Sequence, residues 1–432
     1  MEKIHLHAAG LDIGSRYVYV GLEDGSVRSF ETFTSSLVSL KDYLLENKVI
    51  TVAMEATGVY WYVLYDILVE AGLDVWLVDG RETRQVPGRK TDVKDCQWIQ
   101  QLHSHGLLRR CYVSAGQVKE LRSYQRLRED HLRTMSMHIQ HMQKALIEMN
   151  IRLPEVLSQV HGKSGLAMIT AILGGERDRE ALVALCDKSL RQNKKEELLK
   201  ALEGHYTEYG LFALHQAYQG FMFYKHQMQD CDYRMEAVLK EINNDRNLPP
   251  GVESGVRKAI RHNKPKIEEL GKHLLKIFEG RDATRIPGIT DYNWLQLYSE
   301  LGADLSKWPT EKQFASWTGL ASGQDNSGKR KKSRSKGKPA VGQLFKEMAH
   351  GLLNSKYIGL GAFAKRLRGR KGPAIAIKAT ARKIAIQYWR LMVKGSDYVE
   401  KGVEAYEQII KQQKNKQLQR LALELNVQLI HV

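Results

Sequence analysis

The first 112 residues alternate between strand-length apolar runs and helical patterns. One apolar run ends at Asp12. Tyr17-Val18-Tyr19-Val20 and the stretch Val27 to Phe33 follow across tight turns, with Asp24-Gly25 as a hairpin signal. A helix is expected near 36–47, a strand over Val49 to Glu55, a helix near 59–71 and a strand from Asp74 to Val78. After a loop from Arg81 to Arg89, another helix runs toward Trp98, Ile99 and Leu102. This β-β-β-α-β-α-β-α order predicts a mixed sheet with helices on its faces, of the ribonuclease-H-like kind.

The period then changes from two to seven. Val118, Leu121, Gln125, Arg128, Leu132, Met135, Ile139, Met142, Leu146 and Met149 follow one another by threes and fours. Leu214, Ala217, Phe221, Tyr224, Met228, Cys231, Met235, Val238 and Ile242 do the same, and here every position is apolar or small. Alternation of this kind predicts two coiled-coil helices, each roughly 45 Å long at the α-helical rise. They can pack on each other as an antiparallel hairpin or on another subunit; we expect a protruding stalk used for dimerisation. Gly174-Gly175 and the polar stretch Asp187 to Lys195 read as turns between them, and Asn243 to Gly251 as a linker. A mainly helical unit follows, with Arg285-Ile286-Pro287-Gly288-Ile289-Thr290 as a turn whose amides suit a DNA phosphate. The expected domains are 1–112, an α/β metal domain; 113–275, the helical coiled-coil region; 276–395, a domain holding a candidate serine; and 396–432, a helical tail.

Charge sharpens the picture. The chain has 432 residues and a formal net charge of +17. Residues 325–395 hold 19 Lys or Arg against two acids, Asp325 and Glu347, so the whole excess lies in that segment. One basic segment on a neutral body is the electrostatic footprint of a polyanion-binding surface. Its candidate contacts are Lys329, Arg330, Lys331, Lys332, Arg334, Lys336 and Lys338, then Lys365, Arg366, Arg368, Arg370 and Lys371. Lys378, Arg382 and Lys383 form a third cluster. The four cysteines are far apart and read as reduced thiols. His103/His105 and His138/His141 lack a partner cluster and read as surface or core-edge residues. No apolar run is long enough to span a membrane and no leader pattern is present, so a cytoplasmic protein is expected.

The candidate chemistry is acidic. Leu11-Asp12-Ile13-Gly14-Ser15, Met54-Glu55-Ala56-Thr57-Gly58 and Lys90-Thr91-Asp92-Val93-Lys94-Asp95 carry four carboxylates at two strand ends and a helix start. Asp92 and Asp95 lie three apart, on one helix face. Four acids so aimed suit a hard divalent cation, which neutralises a phosphodiester before an oxygen attacks it. Taken singly, each acid is also an ordinary turn or capping residue. Ser327 is a second candidate: Gly328 lets a phosphate approach the backbone, and the cations after it suit a charged phosphorus transition state. Asn326-Ser327-Gly328 also reads simply as a turn.

In this order, the motifs resemble the IS110 family of insertion-sequence transposases, and most of all its IS1111 branch. The resemblance covers nearly the whole chain. It rests on the Asp12, Glu55, Asp92, Asp95 pattern, on His138 to Leu146 and Gly174 to Asp178, and on Ile286-Pro287-Gly288-Ile289. It rests further on Phe314-Ala315-Ser316-Trp317-Thr318-Gly319-Leu320 and on the serine before glycine and basic residues. The chain departs from many relatives at Thr290 and Lys329, where they carry glycine. The resemblance implies a RuvC-like domain holding Mg²⁺ through the four acids, and Ser327 as a nucleophile forming a covalent phosphoserine link to DNA. It also implies double-stranded DNA (element ends and target) and a structured non-coding guide RNA as partners, in a bacterial homo-oligomer, a dimer assembling to a tetramer. The expected activity is therefore RNA-guided, Mg²⁺-assisted serine recombination that mobilises an insertion sequence. Its rivals are a hydrolytic, metal-dependent nuclease of the junction-resolvase type, and a nucleic-acid-binding scaffold without catalysis.

Overall fold

The apolar runs of the N-terminal third become β1 (Ala8–Ile13), β2 (Tyr17–Gly21), β3 (Val27–Glu31), β4 (Thr51–Glu55) and β5 (Asp74–Val78). They form one sheet in the order β3-β2-β1-β4-β5. The first three strands run antiparallel, and β1, β4 and β5 run parallel. This computed structural model describes the chain except residues 1, 82, 84–91, 115, 253–262, 322–338, 356–357, 396–401 and 428–432, and the side chains of Asp92 and Val93. It divides into two units, Met1–Val113 and Ser114–Val432.

In the first unit, side-chain alternation sorts the strands onto two faces. Leu11, Ile13, Val52, Met54, Val75 and Leu77 share a core with Leu37, Leu40 and Leu44 of α1 (Thr34–Glu46) and Leu64 and Leu68 of α2 (Trp61–Glu70). Ala53 and Val78 point the other way, against Ile99 of α3 (Asp92–Ser104). Strands covered on both faces are the rule where a sheet is parallel, and explain their near-continuous apolar sequences. The Asp24-Gly25 hairpin forms, with Gly25 at φ +86° and the Ser26 amide donating to Asp24 Oδ1 at 2.9 Å. His103 does not sit at the core edge as its sequence context suggests. It is fully buried on the sheet-facing side of α3, with Nε2 2.8 Å from Thr51 Oγ1 and its ring stacked on His5. Burial drives its pKa down to about 4.

Among the described residues, the regular elements of the second unit are all helices. The two heptad tracks become α4 (Gly116–Glu148) and, after four shorter helices, α9 (Glu208–Ile242). The short helices are α5 (Leu153–Val156), α6 (Lys163–Leu173), α7 (Arg179–Ala184) and α8 (Lys188–Ala201). The long helices lie antiparallel along each other within the chain: Arg128 meets Asp232, His138 meets Gly220 and Met149 meets Gly210. Every heptad position named above is buried or half-buried. Toward Met149 the pair shares a core with α5 to α8, and toward Leu121 it joins the core of the C-terminal helices. The polar stretch Asp187 to Lys195 is not a turn but the opening half of α8, broken at Lys194, where φ is −137°. Its polarity is that of a solvated helix face, since Leu198 and Ala201 supply the buried side.

The C-terminal part comprises α10 (Leu270–Ile277), a 3-10 turn (Ala283–Arg285), α11 (Asp291–Leu301), α12 (Glu311–Trp317), α13 (Ala340–Leu352), α14 (Gly359–Lys371), α15 (Pro373–Lys394) and α16 (Val403–Glu424). Threonines begin α11 and α12 with capping boxes, Thr290 with Asn293 and Thr310 with Gln313. All of Trp294 to Leu301 is buried, so α11 is the axis of this core. That burial includes Glu300, which accepts both Arg126 Nε at 2.7 Å and Arg126 Nη2 at 3.0 Å. Deeper still, Arg128 of α4 is 1% exposed. It donates to Asp232 Oδ1 at 2.5 Å, to the Tyr292 hydroxyl at 2.9 Å and to the Asn263 carbonyl at 3.0 Å. Burial works against its charge, but Tyr292 and Asp232 outweigh that and raise its pKa. All four cysteines are free. Among the described residues no helix is long and apolar enough to cross a membrane.

Asp232→Ala strands the Arg128 charge and should cost about 3–5 kcal/mol in denaturant unfolding, whereas Arg128→Met with Asp232→Leu should recover most of that loss. For His103, the unfolded chain takes up its proton near pH 6.5 and the folded chain only near 4. The unfolded state therefore binds more protons in that window, and stability should fall by roughly 3 kcal/mol as pH drops through it. A flatter pH profile is expected for His103→Gln, read by unfolding titrations between pH 7 and about 4.

Candidate metal centre

Asp12 and Glu55 reach the same face because their strands are parallel neighbours in register. Leu11 pairs with Met54, and the next residue along each strand is the acid. Leu11 and Met54 point into the α1–α2 core, so alternation turns both acids to the α3 side. Both are half-buried.

α3 lies directly on this face because two glycines make room. A Cβ built on Gly10 would sit 2.2 Å from the Gln100 nitrogen and 2.4 Å from the Cys96 carbonyl oxygen; at Gly21, its neighbour across β1 and β2, the nearest helix atoms are at 3.0 Å. The helix runs antiparallel to β1. Ser104 accepts the amide of Ile4 at 2.7 Å, and Gln100 Nε2 donates to the Ala8 carbonyl at 3.2 Å. Stepping back along α3 from Gln100 through Cys96 thus follows β1 forward from Ala8 to Asp12. The first turn of α3, with Asp92 and Asp95, comes to the end of the sheet where Asp12 and Glu55 lie. The Cys96 thiol reports this: burial first, and then the charges of Asp12 and Asp95, push its pKa up to about 11.

Glu55 is held by residues that the sequence did not single out. Thr83 Oγ1 donates to Glu55 Oε2 at 2.6 Å, and a Cβ on Gly80 would fall 2.3 Å from Glu55 Oε1. Trp98 Nε1 of α3 donates to the Thr83 carbonyl at 3.1 Å, so the loop after β5 ties Glu55 to the same helix that carries Asp95. The only sequence signal for this support is a glycine just past the carboxyl end of a parallel strand, where α/β sheets build their sites.

The donor set is all carboxylate, which suits a hard divalent cation. Among the described residues no three carboxylate, histidine or cysteine side chains are close enough to form a ready-made cage; the Asp92 side chain lies outside them. Ser327 and the cations Lys329, Arg330, Lys331, Lys332, Arg334, Lys336 and Lys338 also lie outside the described residues. Lys365, Arg366, Arg368, Arg370 and Lys371 are on α14, the last three in its final turn, where they complement the helix dipole. In the turn before α11, two of the amides already have partners within the chain. The Ile289 amide bonds the Ile286 carbonyl at 3.1 Å and the Thr290 amide bonds Asn293 Oδ1 at 3.2 Å, so neither donor is left for a phosphate. Gly288, at φ +92°, packs there against the α13 backbone at Met348.

Two family models match the chain. One, for transposases of the DEDD type named for IS110, matches residues 9–151. The other, described as transposase IS116/IS110/IS902 family, matches residues 281–358. No curated protein matches the chain.

The glycine floor gives a direct test of the geometry. Gly10→Ala must lift α3 from β1, and overpacking of this kind costs about 1–3 kcal/mol. We expect that loss in thermal unfolding, together with loss of metal-dependent DNA cleavage from protein that remains folded. Unchanged cleavage would mean that the α3 acids need no fixed seat.

Proposed function

Taking the chain as a transposase of the IS110/IS116/IS902 family, an enzyme that cleaves and rejoins DNA, we propose that it is an RNA-guided recombinase that mobilises its own insertion element. The DEDD transposase domain implies dependence on a divalent metal. Asp12, Glu55, Asp92 and Asp95 would hold it, and we assign Mg²⁺. When bound, such an ion neutralises charge on the scissile phosphate. The strand order β3-β2-β1-β4-β5, with acids at the ends of β1 and β4, supports a RuvC-like reading of the first unit.

The observation that carries the proposal is that β1 and β4 run parallel in register and carry Asp12 and Glu55 near their ends, on the sheet face against which α3 packs over Gly10. Thr83 and the Gly80 backbone fix the Glu55 carboxylate, so it needs little reorganisation when a phosphate arrives. Ser327 is the proposed nucleophile. Its oxygen attacks phosphorus and its proton leaves to a base or to solvent. The bond from phosphorus to a deoxyribose oxygen breaks, and a phosphoserine diester remains. The ester conserves the bond energy, so a second deoxyribose hydroxyl can displace the serine and reseal the strands. Lys329 to Lys338 and the α14 cations grip backbone phosphates, which makes binding steeply salt-dependent. A structured guide RNA would choose the sites by base pairing, and the α4–α9 pair would serve the assembly of dimers into a tetramer.

The test is incubation with Mg²⁺, element-end DNA and RNA transcribed from the element's flanking non-coding region, followed by a denaturing gel. A protein–DNA adduct is expected. Ser327→Ala should abolish it while DNA binding persists, and Asp12→Asn or Glu55→Gln should slow its formation by about a hundred-fold or more. Cleaved ends free of protein would instead identify a hydrolytic nuclease with a structural Ser327. An adduct that survives Ser327→Ala would remove the serine from the chemistry.

A further inference from the structure

Far along the chain from the acids, α14, α15 and α16 enclose a cleft of about 900 Å³. Its walls carry four cations: Arg366 and Arg370, one turn apart on α14, Lys383 on α15 and Lys414 on α16. None of them pairs with a carboxylate among the described residues, and no acid lines the cleft. Its floor is apolar, with Phe363 and Tyr406 among the lining side chains, both half-buried. The Lys383 ammonium stands 4.0 Å from the centroid of the Phe363 ring.

A surface that only held duplex backbone would need the cations and not the floor. Paired bases are stacked inside a duplex, which offers phosphates and sugars to a groove of this kind. An unpaired nucleotide offers both parts: a flat π-face for an aromatic ring and a phosphate for guanidinium groups. The volume lies in the range of about 300–1,000 Å³ typical of sites that enclose a small organic ligand. It leaves room for a base, its sugar and the flanking phosphates.

We infer that this cleft binds an unpaired segment of a nucleic-acid strand, its base against Phe363 and Tyr406 and its phosphates on Arg366, Arg370 and Lys414. The inference rests on the reading of the chain as a nucleic-acid enzyme, and deepens it by naming a single-stranded ligand and the residues that receive it. RNA and DNA share this chemistry; a bulge of guide RNA and a displaced DNA strand are the two sources.

The full chain should be titrated against short fluorescent oligonucleotides of mixed sequence, as single-stranded RNA, as single-stranded DNA and as duplex DNA, by anisotropy. Tyr406→Ala should weaken single-strand binding about ten-fold, the usual scale for one lost base–aromatic stack, and leave duplex binding within about two-fold. Tyr406→Phe should restore it. Lys414→Glu, on the exposed side of α16, should weaken single-strand binding and flatten its salt dependence without touching the fold. Whichever single strand shows these losses is the source. Equal losses for single strand and duplex, or none for either, would overturn the cleft as a single-strand site. Failure of the unaltered protein to bind any of the three would overturn the nucleic-acid reading itself.

Discussion

An arginine is shut into the seam between two long helices, and the second unit is arranged around its charge. Arg128 occupies a heptad position that apolar side chains fill elsewhere, and it is 1% exposed. An ion in such a place is tolerated only if every donor finds an acceptor. Asp232 supplies one from α9, Tyr292 another from the start of α11, and the Asn263 carbonyl a third. Asp232 in turn accepts the Lys266 amide at 2.9 Å. A wholly apolar seam can slide by a heptad and still match; this one has a single register in which the charge is answered. The neighbouring Arg126–Glu300 fork repeats the link between α4 and α11 with more exposure and less at stake.

The first unit is organised by an absence. Without side chains at Gly10 and Gly21, a helix backbone reaches the sheet, and the start of that helix comes to the end of the sheet where Asp12 and Glu55 stand. Parallel registration sets Asp12 and Glu55 side by side, and the loop after β5 holds the Glu55 carboxylate through Thr83. Asp95 depends instead on where α3 rests, and α3 rests on glycine.

How much of this was legible in sequence depended on the range of the interaction. Period-two alternation gave the strands of the sheet in order, and strand ends gave the acids, because both are local patterns. The heptad tracks located α4 and α9 and the buried side of each, and marked Gln125 and Arg128 as polar intruders without revealing what would satisfy them. Asp232 and Tyr292 are more than a hundred residues away, and nothing local announces them. The same limit hid Thr83 and Gly80 behind Glu55, and it hid the burial of His103, whose partner Thr51 lies on a strand half a domain earlier. Polarity misled at Asp187 to Lys195, where a solvated helix face has the composition of a turn. In the turn before α11, the partners of the Ile289 and Thr290 amides, Ile286 and Asn293, were likewise not announced by the sequence.

The antiparallel pair also has a mechanical meaning. From Arg128 to the far end near Met149 is about 30 Å of helix at the usual rise. The buried ion pair fixes the two helices to each other and, through Tyr292, to α11, as a pivot fixes a beam to its mount. Small-residue contacts such as Gly220 under His138 keep the beam thin and stiff along its length. A tilt of about five degrees at the pivot would sweep the α5–α8 cap through roughly 3 Å, a large displacement for so little repacking at the base. The α5–α8 cap is therefore the lever tip of this unit, where a spectroscopic probe would register the smallest motions of its core.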